Sequence, residues 1–150
     1  LWLPGDGQVN GEDVLKVMKK AQEQNSSQWL VKGKRTYRED SFIIQLISQT
    51  YSRIVNFILQ IDVTDINGLP KCFPVGIRSN FRDTMEESFV FDAEILKIAT
   101  LKNFKIIEIP VKFLSRREGV SSWSGNRIKV YIESLKRLFW LRKYYSVNKI

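Results

Sequence analysis

The sequence predicts an α/β fold, and three observations carry that prediction. In the stretch Phe89 to Ser124, apolar Ile95, Leu96, Ile98, Ala99 and Leu101 recur at helical spacing after an acidic pair, Asp92 and Glu94. A run rich in Ile, Val and Phe, Lys105 to Leu114, follows as a strand with Pro110 inside it, and then a polar, Arg-rich loop with Gly119 and four serines. Helix, strand and basic glycine-containing loop in that order form an α/β unit whose loop can meet an anion. The third observation is composition. At 150 residues and 43% apolar, the chain suits one domain, or part of a larger one, with a real core.

The elements follow in order. Leu1-Trp2-Leu3-Pro4 reads as the end of a strand, and Gly5-Asp6-Gly7-Gln8 as the loop at its tip. The chain opens on an apolar triplet without Met, so the expectation is a fragment whose earlier strands are missing. Asn10 to Gln24 reads as a helix with Glu12 and Asp13 in its first turn and Val14, Leu15, Val17, Met18 and Ala21 on its apolar face. Gln28 to Val31 is a short strand, and the basic run Lys32 to Arg38 is expected as the turn after it.

Ser41 to Gln60 is the longest helical pattern, capped by Asp40 or Ser41. Its apolar residues are too many for a narrow stripe, so it is either largely buried or packed between protein and a membrane surface. Asp62 to Phe73 is a turn-rich connection, and Pro74 to Ser88 an irregular segment or short helix. Asn126 to Tyr145 is a helix that interleaves Lys and Arg with aromatic and aliphatic residues. That suits a membrane interface, and equally docking on the domain's own core with solvated lysines. These boundaries divide the chain into 1–125 and a basic amphipathic helix, 126–150.

The motifs also carry a resemblance. F-x-x-D-x-E-I-L, a helix, K-I-x-E-I-P-V and R-x-x-G-x-S, with Asp92, Glu94, Glu108, Pro110, Arg116, Gly119 and Ser121 at the matching positions, resemble the C-terminal half of a family 2 glycosyltransferase catalytic domain. The group most similar is the polyprenyl-phosphate sugar transferases of the dolichol-phosphate mannosyltransferase type. This implies a GT-A type, Rossmann-like α/β/α sandwich with a mixed sheet, its N-terminal half missing. It also implies a nucleotide-sugar donor, Mg²⁺ or Mn²⁺, a lipid-phosphate or saccharide acceptor and an inverting transfer. The isolated fragment is expected to be inactive alone.

Residue by residue, the family's acidic metal-binding stretch aligns with Asp6 and Gln8, with Pro4 where its first Asp would stand. Its G-S-R-Y-like segment aligns with Gly33 and Arg35, with Lys34 for Ser and Thr36 as an extra residue before Tyr37. Arg35 is thereby implied to bind acceptor phosphate. The D-x-N-G-x-P-K variant aligns with Asp65, Asn67, Gly68, Pro70 and Lys71. Asp65, Asp92 and Glu94 are the implied catalytic carboxylates. Arg116 and Arg117, with Gly119 and Ser121, are the implied phosphate loop, followed by Ser122 and Trp123 where the family often has Lys.

Charge narrows the partners. Residues 100–150 hold twelve Lys or Arg against three Glu, whereas the first 99 hold twelve against thirteen acids, so the whole +8 excess sits in the last third. An anionic partner is expected there, or else a solvated basic face. The alternative to a transferase is a non-catalytic basic module on nucleic acid or an anionic membrane surface. No nucleic-acid motif supports that alternative, so no nucleic acid is expected. The absence of His excludes His-based acid–base catalysis, and a single cysteine, Cys72, excludes an internal disulfide. No run approaches ~18 uninterrupted apolar residues. The expected location is cytoplasmic, peripheral to a membrane.

Overall fold

Strands β1 (Trp29–Arg38) and β3 (Lys105–Phe113) pair in parallel along their whole length, and β2 (Lys71–Cys72) joins β1 on its other side, antiparallel. The computed structural model describes residues 1–3, 5, 7–39, 41–81, 90–115 and 127–147. The result is an α/β chain on a small mixed sheet, order β2-β1-β3, with Trp2 bridging antiparallel to Lys71 beyond β2.

β1 corrects the sequence expectation. The basic run 32–38 is strand, not turn. Its charges tolerate the sheet because Lys32 meets the half-buried carboxylate of Glu108 there and Arg35 the buried one of Asp65. The extra residue, Thr36, is absorbed as a bulge: Arg35 pairs with Val111 and Tyr37 with Lys112, leaving Thr36 without a partner in the register. Pro110 is exposed on β3, which flanks the sheet, where a missing N–H is tolerated.

Helices cover both faces. α1 (Gly11–Gln22) packs on one through Val17 and Ala21, against Val31 and Val111. Asn10 caps it, accepting from the Asp13 amide at 2.8 Å. Of its expected apolar face, Leu15 stays 55% exposed, while Asp13 is buried and accepts from the Lys112 amide of β3 at 2.7 Å. Burial alone would raise the Asp13 pKa. The Lys16 ammonium and the Lys112 amide outweigh it and hold the carboxyl below its ordinary value.

The other face carries α2 (Phe42–Leu59), α3 (Phe91–Leu101) and α4 (Arg127–Val147) in one core with Leu30. Ser41 caps α2 and Gln60, in the left-handed region, ends it. α3 begins at Phe91, so Asp92 and Glu94 lie in its first turn. α4 inserts Leu138, Leu141 and Tyr145 beside Val55 and Ile58, so the basic tail helix is part of this core. Between α2 and β2, Ile61, Val63 and Ile66 are buried, and the loop's backbone is satisfied locally. The Asn56 side chain donates to the Val63 carbonyl and the Ile66 amide donates to Ser52 Oγ. A short 3-10 turn, Val75–Asn80, follows β2. Among the described residues no helix is long and apolar enough to cross a membrane.

Candidate functional site

One cross-strand row organises the polar interior. Lys71 of β2, Lys32 of β1 and Glu108 of β3 stand side by side in register. Both lysines are fully buried. Lys32 Nζ donates to the Gly33 carbonyl at 2.9 Å, to the Asp65 carbonyl, and to Glu108 Oε1 at 3.1 Å. Glu108 also accepts from the Thr64 amide at 2.9 Å and the Thr64 hydroxyl at 2.6 Å. Burial, reinforced by the neighbouring Lys71 charge, lowers the Lys32 pKa to about 8 against the pull of Asp65 and Glu108.

Asp65 sits above this row and grips Arg35. Its Oδ2 accepts from Arg35 Nε at 2.7 Å and from the Arg35 amide at 3.0 Å, and its Oδ1 accepts from Arg35 Nη2 at 2.6 Å. Nη2 also donates to Ser48 of α2, and the guanidinium lies 5.1 Å from the Phe113 ring. Burial opposes ionisation of Asp65, but the Arg35 fork and the Lys32 charge win and hold its pKa at about 2. Gly33 and Gly68 permit this closure: a Cβ on Gly68 would strike the Gly33 carbonyl, and one on Gly33 would strike that of Leu69.

The candidate carboxylates of α3 separate. Asp92 pairs with Lys71 Nζ at 2.6 Å and so joins the charged row. Glu94, two residues on, faces away from it on the helix. It is fully buried and accepts from the Tyr145 hydroxyl of α4 at 2.8 Å. Asp65, Asp92 and Arg35 thus share one cluster with Lys32, Lys71 and Glu108, and Glu94 lies outside it. Glu108 and Lys71 belong to the quoted motifs. Lys32 was hidden in a run expected as a turn; its place between Val31 and Gly33 in a strand was the missed signal.

The chemistry of this cluster is positional. The Arg35 fork that would grip an acceptor phosphate is engaged on Asp65 here. A carboxylate held near 2 is a weak base, since a general base works best near the operating pH. A phosphate acceptor, already ionised, needs none.

A second location is defined at the carboxyl ends of the parallel strands. The Leu114 amide donates to the Gln8 carbonyl at 2.8 Å, and Gln8 Nε2 donates back to the Leu114 carbonyl at 3.1 Å. The Ser115 amide donates to Glu39 Oε2 at 2.6 Å. Gln8 and Glu39 therefore flank residues 114–115. Open α/β sheets bind ligands at this end of their strands. Asp6, Arg116, Arg117, Gly119 and Ser121 themselves lie outside the described residues.

Among the described residues no group of three or more acidic or cysteine side chains could hold a metal ion. Of the pair expected to hold a metal, Gln8 is described, with its Nε2 bonded to the Leu114 carbonyl, and Asp6 is not. No protein-family model matches the chain, and no solved structure matches it.

Proposed function

We propose that the chain is part of a sugar transferase catalytic domain that moves a sugar from a nucleotide-sugar donor to a polyprenyl phosphate. One observation carries this reading beyond the sequence resemblance. Residues 8 and 114 are held together at the carboxyl end of β1 and β3, the end at which open α/β sheets bind ligands, and Asp6 and Arg116 lie two residues from them in sequence. A transferase of this kind needs an electrophile end and an anion-binding end within one substrate's reach.

In this reading an acceptor phosphate oxygen attacks the anomeric carbon, the bond to the nucleoside diphosphate breaks, and the configuration inverts. Arg116 and Arg117 bind the acceptor phosphate, with Gly119 and Ser121 shaping the loop. Asp65 acts by holding Arg35 and the 61–70 loop in place, not as base. Asp92 with Lys71 braces the start of α3. Asp6 and Gln8 would hold a divalent cation, Mg²⁺ or Mn²⁺, which would supply charge neutralisation of the diphosphate leaving group.

Thermal unfolding of the full-length protein with Mg²⁺ or Mn²⁺ and a panel of nucleoside diphosphates tests it. A ligand at ~100 times its Kd stabilises by about 2.7 kcal/mol, a readily measured shift. The expected result is a metal-dependent shift with one nucleotide that Asp6→Ala abolishes. The same nucleotide sugar should then label a polyprenyl phosphate in the lipid phase, and Arg116→Ala should stop the labelling. Absence of any shift across the panel, in a protein that unfolds cooperatively, overturns the reading.

A further inference from the structure

α2 gives one side to the core, where Tyr51, Val55, Ile58 and Leu59 are buried. Its opposite side carries Ile43, Ile47, Thr50, Ile54 and Phe57, all exposed. Their steps of four, three, four and three residues form the a/d seam of a heptad pattern, which keeps one stripe in line along the helix. Phe42, Leu46 and Arg53 are exposed along one flank of the seam, and on the other flank Tyr51 and Ile58 turn into the core. From Ile43 to Phe57 the seam runs about 21 Å at 1.5 Å per residue. Single exposed apolar residues are ordinary, but a continuous stripe along one helix marks a binding surface.

The period indicates the occupant. A partner without helical geometry gains nothing from a strict three-four spacing, whereas a second helix sets its own side chains between those of the first, knob into hole. The seam is also its own complement. In an antiparallel pair centred on Thr50, Ile43 meets Phe57 of the second copy, Ile47 meets its Ile54, and the two threonines, the smallest seam residues, meet on the two-fold axis. Arg53 is the single charged side chain of α2. In that register its two copies stand six residues apart along the axis, about 9 Å, and each aliphatic stem lies beside Leu46 of the other copy. The area suffices as well. Covering Phe42 and Phe57, about four-fifths exposed, with Ile43, Leu46, Ile47 and Ile54 removes on the order of 600 Å² from each protomer, against the ~800 Å² per partner of a standard stable interface.

We infer that α2 is a dimerisation helix: the Ile43–Phe57 seam pairs antiparallel with the same seam of a second copy of this chain, about a two-fold axis at Thr50. This goes beyond the transferase reading and does not rest on it. It requires neither nucleotide nor metal, so each can fail without the other.

The test is sedimentation equilibrium of the full-length protein without nucleotide or lipid, followed by a cross-link that reads the register. Wild-type protein should dimerise at micromolar concentration. Ile43→Ser with Phe57→Ser should raise the dimer Kd at least about a hundredfold, since each apolar anchor is lost from both copies. That variant should still unfold cooperatively, because both side chains are exposed in the protomer. In a Cys72→Ser background, Thr50→Cys should form an intermolecular disulfide on mild oxidation. Gln49→Cys, exposed but off the seam, should not, because its Cα atoms stay beyond the ~7 Å a disulfide spans. Protein that stays monomeric up to about 100 μM overturns the inference. So does a dimer that the serine variant leaves intact, or cross-linking as ready at residue 49 as at residue 50. Monomeric protein that binds phospholipid vesicles through these same residues assigns the seam to a lipid surface and equally overturns it.

Discussion

Replacing Asp65 by Asn removes one charge and almost no volume, and so isolates what the Arg35 pair contributes. The two side chains are 8% and 12% exposed, so water replaces little of what is lost. Lowering the Asp65 pKa from 3.8 to about 2 corresponds to about 2 kcal/mol of preference for the ionised form in the folded chain. The amide also turns an NH₂ group toward the Arg35 donors or leaves one of them unanswered. Stranding a buried charge typically costs about 3–5 kcal/mol. The expected loss is therefore about 3 kcal/mol at neutral pH, measured as the shift in urea midpoint at constant slope.

The pH dependence separates charge from shape. The folded-state pKa lies below the unfolded one, so the contribution is complete above pH ~4 and is lost as pH falls toward ~2, with roughly half remaining near pH 3. The gap between wild type and Asp65→Asn should narrow accordingly. A loss under about 1 kcal/mol at pH 7, or a gap that is constant from pH 7 to pH 3, would refute the reasoning.

Two further outcomes follow from the same cluster. Gly68→Ala forces a Cβ against the Gly33 carbonyl, backbone on backbone, and should cost about 2 kcal/mol or more, while Gly76→Ala, with open space around it, should be near neutral in the same thermal unfolding series. Lys32 binds its proton less tightly folded, at about 8, than unfolded, at 10.5, so between those pH values the unfolded chain carries more protons. Stability should gain up to about 3 kcal/mol from this group as pH rises through that window, and the gain should vanish in Lys32→Met. Equal pH profiles for the two proteins would remove Lys32 as its source.

What was legible in the sequence was whatever depended on local pattern. The α3 helix and β3 strand follow from apolar spacing, and their bounds agree with the expectation to within a few residues. The α2 cap, Ser41, is local chemistry as well. β1 was cut short because Lys and Arg depress strand expectation, and their partners Glu108 and Asp65 stand 76 and 30 residues away. Long-range pairing of that kind leaves no periodicity to read. Asp13 was assigned to the helix dipole for the same reason: its bond to the Lys112 amide spans 99 residues. Asp92 and Glu94 were grouped as neighbours in sequence, yet a two-residue step on a helix sends them to different surroundings, Lys71 and Tyr145.

The charges of this chain fall into two populations, and the distinction bears on function. Lys32, Arg35 and Lys71 are matched internally by Glu108, Asp65 and Asp92, so the interior is nearly balanced and contributes little to an external field. The excess sits elsewhere. Lys136 and Lys143 are exposed on α4 and form no ion pair among the described residues. The internal cluster fixes the loop near Arg35 and Asp65, and Ser48 of α2 bonds the same guanidinium.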